Sequence, residues 1–298
     1  MHKSGFVNII GRPNVGKSTL MNALVGERMS IITAKPQTTR HRIIGILSGN
    51  DFQIVFSDTP GLVKDPSYRM HHAMNRFVHS TFEDADILCL VTEPDEQVDE
   101  ANPLLEKFRH LDVPRFLVMN KIDKFEQDFC REQISAWNAL IPFEESIAIS
   151  ALEQINTNVL RDQIIAYLPE GPAYYPKDQL TDRPERFFVS EIIREHILSL
   201  YEQEIPYSAE VAVESFKETQ TKQGEPLIRI SATLYVARKS QKNIMIGRQG
   251  QAIKKLGTRS RESLETFLES KVFLELHVKV KENWRDDDRL LQAFGYQN

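Results

Sequence analysis

The chain has 298 residues, with 37 Lys and Arg against 42 Asp and Glu and a formal net charge of −5, a length that predicts two domains, each able to bury its own core. At 41% hydrophobic and 27% charged residues, with only two cysteines, it fits neither a disordered chain nor a disulfide-stapled one, and no apolar run approaches the roughly 20 residues of a membrane span. The apolar stretch Phe6 to Ile10 is too short for a signal peptide, so a reducing cytoplasm is expected, with Cys89 as a buried strand residue. In chain order, strands are predicted at Phe6 to Ile10, Arg42 to Leu47, Phe52 to Ser57, Asp86 to Val91, Arg115 to Met119 and Ser146 to Ile149. Helical periodicity lies between most of them, at Lys17 to Val25, Tyr68 to Phe82, Asp128 to Leu140 and Val159 to Tyr167. Alternating strands and helices imply an α/β domain over 1–168 with a mostly parallel sheet, and the short Ser48-Gly49-Asn50-Asp51 link implies one antiparallel edge strand. Residues 169–184, PEGPAYYPKDQLTDRP, carry four prolines and no sustained period, which predicts a linker. Over 185–298 the order becomes helix (Glu185 to Tyr201), strand (Ala209 to Lys217), strand (Leu227 to Ala237), a short helix near Gln241, helix (Gln251 to Leu268) and strand (Val272 to Val280), an α+β domain.

Charge is unevenly distributed along the chain. Residues 83–100 carry eight acids and no base, and residues 238–261 carry eight bases and no acid. Such blocks are usually solvated faces, which is the expectation for the acidic one.

Gly11-Arg12-Pro13-Asn14-Val15-Gly16-Lys17-Ser18 matches G-x-x-x-x-G-K-[ST] between a predicted strand and a predicted helix. The bland alternative is a glycine-rich turn, which the strand-then-helix context opposes. Its glycines allow backbone N–H groups, with those of Val15, Ser18 and Thr19 at the helix start, to surround phosphates. Lys17 would reach the β and γ phosphates, and the Ser18 hydroxyl would take one position on Mg²⁺. Asp58-Thr59-Pro60-Gly61 follows the third strand, where Asp58 can hold the Mg²⁺ shell and the Gly61 N–H can meet a γ-phosphate. Asn120-Lys121-Ile122-Asp123 follows the fifth strand and Ser150-Ala151-Leu152 the sixth. Guanine presents two adjacent donors that one carboxylate can accept together, whereas adenine would leave Asp123 unpaired, so the nucleotide is read as GTP or GDP. Each tetrapeptide alone could be a turn; the ordered set at successive strand ends is specific.

That set resembles the Ras-like GTPases, and Gln37-Thr38-Thr39-Arg40-His41-Arg42 beside the phosphate loop resembles the Era family of bacterial GTPases. The resemblance implies that Thr39, with Thr38 as runner-up, supplies the second side-chain Mg²⁺ ligand. It also implies that Lys121 braces the phosphate loop and that Ser150 and Ala151 support Asp123. Catalysis would then rest on Lys17, Thr39 and Gly61. Leu62 stands where many relatives place a water-orienting Gln, which leaves the water-positioning group unidentified. Asn14 matches a position that, in related GTPases, resembles a ligand for K⁺. His71-His72 point about 100° apart on a helix and are not expected to chelate.

Gly247-Arg248-Gln249-Gly250 is a G-x-x-G within the basic block, followed by a helical pattern that leaves Lys254 and Lys255 exposed. The pattern resembles a KH domain, which implies RNA contact through Lys242, Gly247, Arg248, Gln249, Gly250, Lys254 and Lys255. The plain alternative is a helix-turn-helix with a solvated basic face. Further Era-like text lies at 183–194 and 278–289; the least typical stretch is Val91 to Glu96. The resemblance implies a GTP-hydrolysing switch that binds the 3′ end of small-subunit ribosomal RNA and assists 30S subunit assembly. It implies a cytoplasmic monomer and allows peripheral contact with the inner membrane. A rival reading is an RNA-binding assembly module in which GTP is mainly a structural ligand. A phosphate-loop kinase is opposed by Asp123 and by the lack of an Arg-rich lid.

Overall fold

The computed structural model describes residues 1–33, 35–63, 65–96 and 103–296. They form two compact units. The first comprises Met1–Ser30, Thr39–Asp65 and Met74–Asp182, and the second Ile31–Thr38, Pro66–Ala73 and Arg183–Asn298.

In the first unit the sequence alternation becomes a six-stranded sheet. Its strands are β1 (Lys3–Gly11), β2 (Ile43–Ser48), β3 (Phe52–Asp58), β4 (Ile87–Thr92), β5 (Arg115–Met119) and β6 (Glu145–Ala148), in the order β2-β3-β1-β4-β5-β6. All neighbours run parallel except β2 with β3, the hairpin that the Ser48 to Asp51 link predicts. Every residue of β4 is buried, as a strand with neighbours on both sides and helices over both faces requires. Burial accordingly pushes the Cys89 thiol up to about 12. Helices α1 (Lys17–Val25), α3 (Pro103–Arg109) and α4 (Gln127–Leu140) connect the strands, α2 (Arg69–Ser80) begins in the second unit and enters the first at Met74, and α5 (Thr157–Tyr167) follows β6. Leu105 and Phe108 of α3 and Cys130 and Trp137 of α4 pack on Leu88, Leu90, Leu117 and Met119. α3 has no counterpart in the sequence reading.

The acidic block is solvated in part, as expected, with Glu83, Asp84 and Asp95 exposed, but several of its acids are paired. Asp84 pairs with Arg42 at 2.6 Å and accepts from Asn8 at 2.8 Å, while Asp86 accepts the Phe6 N–H at 2.8 Å. Glu93 and Glu96 also find partners, described below; Asp99 and Glu100 lie outside the described residues. The physical reason is position, because these acids flank β4 and meet donors from β1 and from Arg42. The proline-rich stretch has no helix or strand but is tied down within the first unit: Ser4 N–H donates to the Pro169 carbonyl at 3.0 Å, and Gln53 Oε1 accepts from the N–H groups of Tyr174 and Tyr175.

The second unit contains α6 (Glu185–Leu200), α7 (Ile205–Ser208), β7 (Glu210–Gln220), β8 (Pro226–Val236), α8 (Lys239–Ile246), α9 (Gln251–Phe267), β9 (Lys271–Val280) and α10 (Asp288–Ala293). β7 pairs with β8 antiparallel and β8 with β9 parallel. Val189, Ile193 and Ile197 of α6 and Leu256 and Leu264 of α9 recur at helical spacing and bury against Ile230, Ala232 and Leu234. α7 and α10 are too short to show a period, and the sequence reading lacks them. Among the described residues no helix is long and apolar enough to cross a membrane.

Candidate nucleotide site and nucleic-acid loop

β1 delivers the chain into the glycine-rich loop, and α1 takes it away. A Cβ on Gly11 would lie 2.3 Å from the Val91 carbonyl oxygen, and one on Gly16 2.3 Å from Asn120 Nδ2. Both residues also have positive φ, so neither position tolerates a side chain. Lys17 folds back along the loop and donates to the carbonyls of Gly11 at 3.0 Å and Arg12 at 2.8 Å. Burial pulls its ammonium down to about 8, against the pull of Asp58 and Glu96 in the other direction. Val15 is buried, and Asn14 is exposed with left-handed backbone.

Three oxygens converge beside Lys17. Ser18 Oγ, on the first turn of α1, donates to Asp58 Oδ2 at 2.7 Å and lies 3.0 Å from Thr39 Oγ1, which in turn is 3.4 Å from Asp58 Oδ2. Thr38 is turned elsewhere: its hydroxyl lies 2.7 Å from Thr33 Oγ1 and donates to the Lys35 carbonyl at 2.6 Å. Asp58 is fully buried, burial raises its carboxyl above the usual range, and its Oδ1 is a buried oxygen without a hydrogen-bond partner among the described residues. A buried carboxylate with a spare oxygen and two hydroxyls within 3.4 Å fits a hard divalent cation such as Mg²⁺. Gly61 abuts the phosphate loop so closely that a Cβ would meet Pro13 Cγ at 2.6 Å.

The β5 and β6 ends contribute the rest. Asn120 is buried and bridges two loops, donating from Nδ2 to the Val15 carbonyl at 2.9 Å and accepting the Ala151 N–H on Oδ1 at 2.9 Å. Lys121 donates to the Asn14 carbonyl at 2.7 Å and pairs with Glu93 Oε2 at 2.5 Å. Asp123 is exposed on the single turn Ile122–Lys124, and buried Ser150 accepts the Glu153 N–H on its Oγ at 3.2 Å.

Sequence reasoning missed Glu93, Glu96 and Asn75. Thr92 Oγ1 donates to Glu96 Oε2 at 2.9 Å and Arg12 pairs with Glu96 at 3.4 Å, so acids from the β4 end line a cavity of about 550 Å³ with Arg12, Pro13 and Val15. Their signal was available: they follow β4 at the sheet edge that carries every other motif. The Asn75 side-chain amide brackets Val63, accepting its N–H and donating to its carbonyl, each at 2.9 Å. His71 accepts the Ser67 N–H at 3.2 Å and His72 is exposed. Among the described residues no group of three or more His, Cys, Asp or Glu could hold a metal.

In the second unit, Gly247-Arg248-Gln249-Gly250 links α8 to α9. Gly247 has φ 72°, and a Cβ there would approach Ala252 Cβ to 2.6 Å; Gln249 and Gly250 are left-handed as well. Arg248, Gln249, Lys254 and Lys255 are exposed and Lys242 is half-buried, while Leu256, Ser260 and Leu264 turn inward. The loop thus offers backbone without side chains at two corners and cations around it, the surface that a sugar-phosphate chain can approach.

Residues 6–121 match the family described as 50S ribosome-binding GTPase and residues 204–285 match the KH domain. Over the whole length the chain is similar to "GTPase Era" of Syntrophus aciditrophicus (strain SB), 47% identical over 99% of this chain and 96% of the relative. The same name belongs to a relative from Clostridium kluyveri, 45% identical over the full length of both. The chain belongs to the Era family of GTPases. Two solved Era structures are also similar at 35% identity. One, Era in complex with MgGDPNP and nucleotides 1506–1542 of 16S ribosomal RNA, has a TM-score of 0.94 and covers 100% of both chains. The other, a variant of Aquifex aeolicus Era bound to GDP·AlF₄⁻, has a TM-score of 0.91 and covers 99% of this chain and 100% of that one.

For this Era-family chain the low Lys17 value has a measurable consequence. With Lys17 read as the phosphate-binding ammonium, binding would depend on a charge that the free protein loses as pH rises through about 8. The bound phosphates raise its proton affinity, so nucleotide binding takes up a proton on the alkaline side. GDP affinity is expected to fall by up to ~10-fold per pH unit above that value. Calorimetry at alkaline pH in two buffers of different ionisation enthalpy checks the proton uptake, and a pH-independent affinity would contradict it.

Proposed function

We propose that this Era-family GTPase binds GTP with Mg²⁺ on its first unit, hydrolyses it, and binds the 3′ region of small-subunit ribosomal RNA through its KH loop in the service of 30S assembly. The carrying observation is the convergence of Ser18, Thr39 and Asp58 beside Lys17, at the edge that also presents Gly61, Asn120 and Asp123. Functionally the chain divides into a nucleotide-binding part over 1–168, a linker over 169–184 and an RNA-binding part over 185–298. The 50S description belongs to a match over 6–121 alone, whereas the whole chain is similar to a protein bound to 16S ribosomal RNA, which favours the small subunit.

In this reading Gly11, Asn14, Val15, Gly16 and Thr19 surround the phosphates with backbone, and Lys17 turns from the loop carbonyls to the β and γ phosphates. Ser18, Asp58 and Thr39 hold Mg²⁺, which when bound neutralises phosphate charge. Thr39 is preferred to Thr38 because its hydroxyl reaches both Ser18 and Asp58. The Gly61 N–H meets the γ-phosphate, and Leu62 cannot orient water. Asn120 and Lys121 fix the phosphate loop to the base-binding edge, where Asp123, backed by Ser150 and Ala151, accepts both guanine donors. Lys242, Gly247, Arg248, Gln249, Gly250, Lys254 and Lys255 take the RNA. The chain acts as a cytoplasmic monomer with peripheral contact at the inner membrane surface. Single-turnover hydrolysis with and without RNA separates this switch from a module in which GTP is only structural; a rate that RNA leaves unchanged would favour the module.

Base choice, cation and RNA surface each yield a test. Asp123→Asn replaces an acceptor pair with one donor and one acceptor, which suits the 2-oxo group of xanthine. The variant is expected to lose GTP affinity and gain xanthosine triphosphate, measured by competition binding. K⁺ at Asn14 would stabilise transition-state charge as an arginine does. Hydrolysis is therefore expected to run faster in K⁺ than in Na⁺ at equal ionic strength, with the advantage lost in Asn14→Ala; equal rates refute the cation. Arg248→Asp with Gln249→Asp places carboxylates where phosphates must lie and is expected to abolish RNA binding at unchanged GTP affinity and melting temperature. In the parent, Lys254→Ala should reduce the salt slope of RNA binding by about 0.7, read by filter binding over a salt series.

A further inference from the structure

After β3 ends at Asp58 the chain runs through Thr59, Pro60, Gly61, Leu62 and Val63 with no helix or strand to hold it. The start of this run is seated on the sheet. Thr59 and Pro60 are buried, the Thr59 hydroxyl donates to the Ile9 carbonyl of β1 at 3.3 Å, and Gly61 abuts Pro13 of the phosphate loop. From Gly61 to Val63 the residues are only half-buried. At Val63 both backbone groups are taken by one side chain: the N–H donates to Asn75 Oδ1 and the carbonyl accepts from Asn75 Nδ2, each at 2.9 Å.

Asn75 is an odd choice for its position in α2, where Met74, Phe77 and Val78 are the buried residues. Asparagine is a weak helix former, because its amide competes for nearby backbone. Here the amide bonds a residue twelve positions earlier in the chain. An amide carries one donor and one acceptor side by side, as a peptide does, so it can pair with both groups of Val63 in the manner of a neighbouring strand. Aspartate has no donor for the carbonyl, and alanine has neither group. Val63 and Asn75 both belong to the first unit, although the stretch between them includes Pro66–Ala73, which does not. The bracket therefore closes the neck of a loop and fixes where the chain stands just beyond Gly61 and Leu62.

We propose that Asn75 is a positioning residue for GTP hydrolysis: by clamping both backbone groups of Val63 it fixes the peptide between Leu62 and Val63, and through Leu62 the course of the chain at Gly61 beside the phosphate loop. The inference rests on the reading of Gly61 and the residue after it as facing the γ-phosphate. Leu62 stands where many Ras-like enzymes carry a water-orienting Gln, and its side chain offers no polar atom. What this segment contributes to the reaction is then carried by its backbone, and backbone is placed only by what holds it. Gly61 is held from the phosphate-loop side, Val63 by Asn75, and two planar peptides span the distance between them. Loss of the bracket frees the second end. A group that positions others for the reaction acts on kcat, with little change in KM.

The test uses the full chain with Asn75→Ala, which removes both bonds, Asn75→Asp, which keeps the acceptor alone, and Asn75→Gln, which keeps the amide on a longer stem. The measurements are kcat and KM for GTP and the melting temperature. The expected result is a kcat lowered about tenfold in Asn75→Ala and Asn75→Asp, with KM within about twofold of the parent, and partial recovery of kcat in Asn75→Gln. A merely structural role would leave kcat of the folded variants at the parent level, or would move KM and melting temperature along with it and gain nothing from the amide of Gln; either pattern overturns the proposal. Should Asn75→Ala fail to fold, Asn75→Asp and Asn75→Gln carry the same readout, and parent-like kcat in Asn75→Asp overturns it. Gly61→Ala runs alongside, since its Cβ would press on Pro13. If Gly61→Ala loses kcat and the Asn75 variants do not, the reading of Gly61 stands and Asn75 is only structural. If Gly61→Ala keeps the parent kcat, that reading fails and the inference with it.

Discussion

A fully buried carboxylate organises the first unit. Asp58 ends β3 opposite Ile9 of β1 and Ile43 of β2, so its position is set by two strand registers at once. Burial alone would favour its neutral form, and the hydroxyls of Ser18 and Thr39 with the Lys17 ammonium draw it back toward charge. Such a group is costly to bury unless it is paired or coordinates a cation.

The remaining site residues follow from the same sheet. In a parallel sheet the carboxyl ends of successive strands lie on one edge, and loops leaving that edge can meet although they are far apart in sequence. β1 supplies the phosphate loop, β3 Asp58 and Gly61, β5 Asn120 and Lys121, and β6 Ser150 and Ala151. Asn120 shows how tightly the edge is drawn: one amide satisfies Val15 and Ala151 together and sits where any side chain at Gly16 would be. β4 contributes acids in this chain. Glu93 on Lys121 and Glu96 on Arg12 place two carboxylates beside the glycine-rich loop.

Much of this was legible in the sequence, because period and punctuation carry it. The six strands, the antiparallel edge pair and α1 follow from apolar runs broken by glycine, proline and asparagine. The motif residues stand out because their spacing matches the strand ends. Pairing is what a linear reading misses. Asp84, Asp86, Glu93 and Glu96 look like a solvated acidic run until the strand that separates them is placed between donors. Nothing in the helical stretch Glu185 to Tyr201 marks Arg194 as buried, and the fold shows its side chain 1% exposed. Neighbouring Thr38 and Thr39 are indistinguishable by spacing and differ only in where their hydroxyls point.

The path of the chain gives the γ-phosphate side of the site its character. The polypeptide leaves the first unit after Ser30 and returns at Thr39, then leaves again after Asp65 and returns at Met74. Thr39, read as a Mg²⁺ ligand, and Gly61, read as facing the γ-phosphate, thus lie just inside the points where the chain passes from one unit to the other. Neither excursion is slack: the first is held by α6, whose Arg194 donates to the Thr38 carbonyl, and in the second the Arg69 N–H donates to Asp286 at 2.9 Å while Arg285 stacks on the Tyr68 ring at 3.7 Å. A free excursion would absorb a local rearrangement at Thr39 or Gly61 at little cost. A pinned one makes the rearrangement break named contacts or shift the groups that make them.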